Sequence, residues 1–342
     1  MATRNIIVVG ASLGGFEAFK KLVAELPADI GASIFLVWHM SPHAEGILAK
    51  VLDDIAHLPV AQAEHGEPIL PNRIYVARPD HHLLVDRTHV HVTRGPRENR
   101  FRPAIDPLFR SAAYAFGNRV IGVVLTGALD DGTAGLWSIK RCGGIAIAQD
   151  PADADVPSMP KNAIREVAID YIVPVSEMAA LLVKLCNESI GSGPEVDAGE
   201  LDKMGAEVRV ASDEPTFDVD IPQYGEMSKL SCPECQGVLT LLKDGALSRF
   251  RCHTGHAFSP EALMEAISEK IENYLFAALR GVDEQVILLN HMGDHFAEAN
   301  HRKEAARYFR KAREARQRVA SIRDAIRASE DRELVRASEE RL

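Results

Sequence analysis

No stretch of the 342 residues reaches the roughly 18 consecutive apolar positions of a membrane span. The opening Met1-Ala2-Thr3-Arg4 runs directly into a strand pattern and has none of the features of a secretory signal. A basic excess is also missing. The chain carries 39 Lys and Arg against 49 Asp and Glu, a net charge of −10, which removes the electrostatic footprint of nucleic-acid binding. Cysteine is scarce, with five in all. Nothing marks an oxidising compartment, so thiols or metal ligands are expected in place of disulfides. There is no Gly-Lys-Ser/Thr phosphate loop, and the glycines of the first turn, Gly10-x-x-x-Gly14-Gly15, do not have dinucleotide-binding spacing. The expectation is a cytoplasmic protein that neither enters a membrane nor binds nucleic acid.

What is present is a set of strand ends that carry chemistry. The apolar run Ile6-Ile7-Val8-Val9 leads into Gly10-Ala11-Ser12-Leu13-Gly14-Gly15 and then a helical stretch, which sets the Ser12 hydroxyl on a sharp strand-to-helix turn. A second run, Ile34 to Trp38, ends at His39. A third, Val120 to Leu125, leads into Thr126-Gly127-Ala128-Leu129-Asp130-Asp131-Gly132. In a parallel sheet all strand C-termini lie on one edge, where residues distant in sequence can meet. A Ser-His-Asp triad needs that convergence. Each residue also has a plainer reading: Ser12 as a helix cap, His39 as a packed side chain, Asp131 as a turn residue before Gly132. Their joint occurrence favours the triad.

Short apolar strands alternating with helical stretches at Gly15–Leu26 and Ala134–Cys142 indicate an α/β fold with a parallel, doubly wound sheet. Residues 60–93, including Ile74-Tyr75-Val76 and His89-Val90-His91-Val92, alternate as antiparallel hairpin strands would, at an edge of that sheet. The length implies more than one domain. We expect a catalytic domain over 1–186, an acidic Gly/Pro linker over 187–229, a zinc-ribbon-like module over 230–260 and a helical hairpin over 261–342. The linker carries Gly191-Ser192-Gly193-Pro194 and Asp213-Glu214-Pro215, and a lesser reading folds part of it over the basic segment Arg94–Arg102.

Three of the five cysteines fall in Cys232-Pro233-Glu234-Cys235 and Cys252-His253-Thr254-Gly255-His256. This spacing suits a tetrahedral Zn²⁺ held by Cys232, Cys235, Cys252 and His256, with His253 as the alternative fourth ligand. Four protein ligands would make the ion structural, and no cofactor is expected for catalysis. The final segment has an apolar stripe from Leu263 to Leu289, an interruption at Gly293, and a second helix from about Phe296 with Ala306, Phe309, Ala312 and Val319 on one face. It reads as a helical hairpin that packs on the ribbon or serves for docking or homodimerisation.

The segments Gly10–Gly15, Trp38-His39-Met40, Asn99–Asp106 and Leu125–Gly132, in that order, resemble the catalytic domain of the bacterial chemotaxis receptor methylesterases, the CheB family, over roughly residues 4–186. The resemblance implies a serine hydrolase that removes methyl esters from glutamyl side chains of chemoreceptors and can deamidate certain glutamines. It implies Ser12 as nucleophile, His39 as base and then acid, Asp131 as the orienting carboxylate, and the Ala128 backbone N–H as an oxyanion donor. Leu13 is bulkier than the usual neighbour of the nucleophile, and Ala128 is smaller than the usual residue there. The strand of Ser12 starts within the first residues, where family members usually carry a receiver domain, so control is expected to come from elsewhere. The competing expectation is a catalytically quiet chemosensory scaffold that uses the cleft and the terminal helices for binding.

Overall fold

A computed structural model describes residues 3–44, 46–214 and 219–339, the stretch 328–339 by its backbone alone. The first nine strands are β1 (Ile6–Ala11), β2 (Ser33–Trp38), β3 (Val60–Gln62), β4 (Arg73–Val76), β5 (His82–Val85), β6 (Val90–Thr93), β7 (Val120–Val124), β8 (Ile145–Gln149) and β9 (Tyr171–Val173). Interleaved with them are α1 (Gly15–Ala24), α2 (Ile47–Asp53), α3 (Ile105–Phe116), α4 (Thr133–Arg141), α5 (Ser158–Glu166) and α6 (Val175–Asn187). Seven strands form one parallel sheet in the order β3-β4-β2-β1-β7-β8-β9.

Every residue of β1 is buried, because helices cover both faces of the sheet and a strand between two layers has no polar side. Alternation along the strand sorts its residues between two cores. Ile7 and Val9 pack with Phe19, Leu22 and Leu182 of α1 and α6. Ile6 and Val8 pack with Leu108, Phe109 and Leu136 of α3 and α4.

Two expectations change in this region. Ile74-Tyr75-Val76 belongs to β4 in the parallel sheet, since all three side chains are buried. The antiparallel hairpin is β5–β6 alone. The segment 187–229, expected to be a linker, contains a 14-residue helix, α7 (Ala198–Ala211), capped by the Asp197 carboxylate on the N–H groups of Gly199 and Glu200. Its Met204, Ala206 and Val210 are buried, and so is Glu207. The acidic composition concealed this helix because one of its carboxylates is inside the protein. At its end, Ala211 O accepts a hydrogen bond from Thr93 Oγ1, beside the basic segment. Pro215 lies outside the described residues.

Four further strands, β10 (Gly225–Ser231), β11 (Val238–Asp244), β12 (Leu247–Cys252) and β13 (Ala257–Phe258), make an antiparallel sheet. This ribbon is one body with the parallel-sheet region: the chain divides into compact units at Met1–Leu263 and Met264–Leu342. Ion pairs explain the union. Arg110 of α3 and Arg251 of β12 both bond the Glu98 carboxylate, at 3.1 and 2.5 Å. Glu207 of α7 takes Arg249 at 2.6 and 2.8 Å and Arg251 at 3.1 Å. Arg249 also bonds Asp244. Three guanidinium groups thus offset three carboxylates, which is the condition under which charges can be buried.

The helix α8 (Pro260–Glu298), which belongs to the second unit from Met264 onward, runs without a break through Gly293, and α9 (Arg302–Glu339) follows a short turn. Residues 340–342 of the expected hairpin lie outside the described residues. The turn after the helix contains Asn300, whose left-handed conformation (φ 59°) lets His301 N–H reach back to Phe296 O at 2.8 Å. Gly293 is therefore no helix breaker. A Cβ there would sit 2.6 Å from the Phe309 ring of α9, so the glycine permits the close approach of the two helices. On α9 it is Ala305, not Ala306, that is buried, together with Ala312, Ala315 and Val319.

Gly293→Ala should accordingly lower the stability of the hairpin by about 1–3 kcal/mol through overpacking. Helix propensity alone would raise it by about 1 kcal/mol. Thermal unfolding followed by circular dichroism decides the sign, and adding Phe309→Leu to the Gly293→Ala variant should restore the loss.

Candidate active site

Ser12, His39 and Asp131, each placed by the end of a different central strand, meet at one edge of the sheet. Ser12 follows β1, and its N–H is held by Thr126 O at 3.0 Å beside β7. Gly14 takes the left-handed conformation (φ 77°) that starts α1. Across the turn, a Cβ on Gly127 would lie 2.8 Å from Ser12 Cβ, so only glycine leaves the serine its place. His39 follows β2, with its N–H on Ala11 O at 3.1 Å.

His39 Nδ1 lies 3.1 Å from Ser12 Oγ, and its Nε2 lies 2.7 Å from Asp131 Oδ2. Because Asp131 accepts the Nε2 proton, Nδ1 presents its lone pair to the serine hydroxyl. All three side chains are shielded: Ser12 is 7%, His39 8% and Asp131 1% exposed. Phe101 stacks on the imidazole at 3.7 Å with the rings 8° apart, which fixes the ring plane.

Asp131 accepts more than the histidine. Its Oδ2 also takes Ile105 N–H at 2.7 Å, and its Oδ1 takes Asn99 Nδ2 at 2.8 Å, Gly132 N–H at 3.1 Å and Asp106 N–H at 3.3 Å. Two of these amides form the first turn of α3, so a helix N-terminus faces the carboxylate. Burial alone would raise the Asp131 pKa, but the bonds from His39, Ile105 and Asn99 outweigh it and hold the group below the usual carboxylate range. Asp106 beside it is driven the other way, to about 7, by burial and by the Asp131 charge. The environment separates two neighbouring carboxyls and leaves the negative charge on the one that faces His39.

The serine opens into a cleft of about 590 Å³ walled by Leu13, Phe16, Trp38 and Met40 and rimmed by Arg97 and Arg100. Leu13 is 60% exposed at its mouth. Ala128, the implied oxyanion position, lines the same cleft, and its N–H makes no hydrogen bond among the described residues. A shielded hydroxyl, an imidazole with its lone pair aimed at it, a buried carboxylate and an available amide can support acyl transfer.

The second expected cluster also assembles. The ligand atoms of Cys232, Cys235, Cys252 and His256 all lie within 4.8 Å of one another. His253 stands outside the group, its ring against Gly237. The Cys235–Cys252 sulfur separation and the distance from Cys252 Sγ to His256 Nδ1 are both 3.6 Å. Tetrahedral Zn²⁺ with Zn–S bonds of about 2.3 Å needs edges of about 3.8 Å between sulfurs, so the donor set fits the ion.

Sequence reasoning missed Asn99, Phe101, Glu98 and Ser259. The turn Glu98–Phe101 closes on itself, Glu98 N–H to Phe101 O and Phe101 N–H to Glu98 O, with Asn99 and Arg100 at φ 50° and 75°. The segment Asn99–Asp106 stood in the family resemblance, and an asparagine suits that conformation, but neither gave Asn99 or Phe101 a role.

Residues 7–182 match the CheB methylesterase family. A Leptospira interrogans protein provisionally named protein-glutamate methylesterase/protein-glutamine glutaminase is 37% identical over 180 residues, 52% of this chain and 93% of that protein. A Geobacter metallireducens protein-glutamate methylesterase/protein-glutamine glutaminase is 40% identical over 181 residues, 52% of this chain and 50% of that protein. The crystal structure of the Thermotoga maritima CheB methylesterase catalytic domain aligns with a TM-score of 0.52 at 34% identity, over 54% of this chain and 100% of that one. The family match ends before α7 and the ribbon.

The buried Glu98 gives a test of how the site is held. Burial alone would raise its pKa, yet Arg110 and Arg251 bring it from 4.5 down to about 2. A carboxylate depressed in the folded state stabilises above its unfolded pKa, and that contribution is lost as pH falls through the folded one. The stability difference between wild type and Glu98→Gln, read from urea midpoints, should be full above pH 4.5 and shrink toward pH 2. A difference independent of pH would contradict the burial of an ionised Glu98.

Proposed function

We propose that this chain, which belongs to the CheB methylesterase family, hydrolyses glutamyl γ-methyl esters on a chemoreceptor or related signalling protein, with Ser12, His39 and Asp131 as its triad and glutamine deamidation as a second activity. The observation that carries the reading is the continuous hydrogen-bonded line from Ser12 Oγ through His39 to Asp131.

Ser12 Oγ attacks the ester carbonyl as His39 Nδ1 takes its proton. The Asp131 carboxylate keeps the ring in the required tautomer and stabilises the imidazolium that forms. The oxyanion is met by the Ala128 N–H. As the tetrahedral species collapses, the C–O bond to methoxide breaks, and His39 returns the proton so that methanol leaves. The Ser12 ester is then hydrolysed by a water that His39 deprotonates, which releases the glutamate side chain. With a glutamine the leaving group is ammonia and the other steps are unchanged. The apolar walls at Phe16 and Trp38 suit the methyl ester.

Cys232, Cys235, Cys252 and His256 are proposed to hold one structural Zn²⁺. Four protein ligands close its coordination, so the ion supplies rigidity to the ribbon and no open position for substrate. Among the described residues no helix is long and apolar enough to cross a membrane. Ile271, Tyr274, Phe276, Ile287 and Leu288 of α8 are exposed, which supports use of the helical hairpin for docking a partner or a second copy.

Purified protein should release methanol from methylated chemoreceptor cytoplasmic fragments, and Ser12→Ala should reduce the rate by at least about 10³-fold. A Ser12→Ala variant with the wild-type rate would remove the triad assignment. Absence of release by a folded wild type would favour the scaffold alternative. Metal analysis should give one zinc per chain, lost in Cys252→Ser; a folded wild type without zinc would remove the metal assignment.

A further inference from the structure

The ribbon does more than lie beside the catalytic region: it is hydrogen-bonded to the residues that hold the triad. Asn99 is the junction. Its Nδ2 donates to Asp131 at 2.8 Å and to Asp106 at 3.0 Å, while its Oδ1 accepts Ser259 N–H at 2.8 Å from the ribbon side. Asn99 N–H itself bonds Ala257 O of β13 at 2.8 Å, and Ala257 N–H bonds Arg97 O at 3.2 Å. Ser259 Oγ also donates to Asp130 Oδ1 at 2.6 Å, next to Asp131. Glu98, the preceding residue, is anchored to Arg251 of β12. Phe101, at the far end of the same turn, is the residue stacked on His39.

The Glu98–Phe101 turn thus touches Asp131 and His39 on one side and β12, β13 and Ser259 on the other. The side chain and backbone of Asn99 are 4% exposed, so water does not substitute for these bonds. The ribbon contacts come from Ala257 and Ser259, directly after Cys252 and His256, two of the four residues of the Cys₃His cluster.

We propose that Asn99 and Ser259 are positioning residues that make the Cys₃His ribbon part of the catalytic unit, so that a metal-loaded ribbon sets the orientation of Asp131 and His39. The inference rests on the methylesterase reading for its kinetic test and on geometry alone for its structural one. Asn99 touches no reacting atom. It acts by holding the Asp131 carboxylate, and its ribbon bond holds Asn99. A misplacement of the base by about 1 Å can reduce turnover by about 10²-fold without loss of binding.

The experiment uses the full-length chain in three forms: zinc-loaded wild type, the same protein after chelation, and Asn99→Gly, which keeps the left-handed backbone while removing all three side-chain bonds. Asn99→Asp is the second variant; it keeps the acceptor for Ser259 and loses the donor to Asp131. Both variants should lower kcat for methanol release by about 10- to 100-fold, with KM changed by no more than about 2-fold and zinc still bound at one per chain. Chelation should reproduce the kcat loss and speed amide hydrogen exchange in the peptide spanning residues 97–103, with β1 unchanged. Variants that retain wild-type kcat, or exchange in 97–103 that is indifferent to metal, would overturn the proposal. A wild type with no Ser12-dependent release fails the methylesterase reading instead, and the exchange comparison then decides the inference by itself.

Discussion

The carboxylate of Asp131 is the point on which the site depends. A nearly fully buried negative charge is tolerated because His39, Asn99 and three backbone amides donate to it, two of those amides from the first turn of α3. The same bonds decide which way each donor points. The carboxylate accepts from Nε2 of His39, so Nδ1 turns its lone pair toward Ser12. It takes the Asn99 amide, so the turn that carries Phe101 is brought against the imidazole ring. Gly127 leaves the serine room at the end of this line.

A second charge assembly ties the outer layers to that centre. Arg110, Arg249 and Arg251 come from α3 and β12, and Glu98, Glu207 and Asp244 come from the turn, α7 and β11. Removing any one member would leave a partner buried and unpaired, which is more destabilising than never having built the pair. The ribbon and α7 are accordingly parts of the same folded body as the parallel sheet. The family match stops before both of them. This chain therefore joins to the family region an extension that reaches Asp131 through Asn99.

The convergence of Ser12, His39 and Asp131 was legible in the sequence because each follows an apolar strand run and stands in or beside a turn, and a parallel sheet brings such ends together. The Cys₃His cluster was legible because its spacing is local. Elsewhere the determining partners were remote. Glu207 looked like part of a solvated acidic linker because the arginines that neutralise it lie on α3 and β12. Asn99 stood in a segment of the family resemblance without a role of its own, because its partners are at 106, 131 and 259. Gly293 looked like a helix break because nothing nearby in the sequence shows that Phe309 packs on it. The alternating pattern at Ile74–Val76 suggested a hairpin, whereas burial on both faces places it in the parallel sheet.

The most direct test of the account is covalent labelling of the native protein with a fluorophosphonate probe, with the adduct mapped by mass spectrometry. The account predicts one adduct, on Ser12, formed far more slowly in His39→Ala because the hydroxyl has lost its base. A folded protein that takes no label, or takes it at a residue other than Ser12, would contradict it.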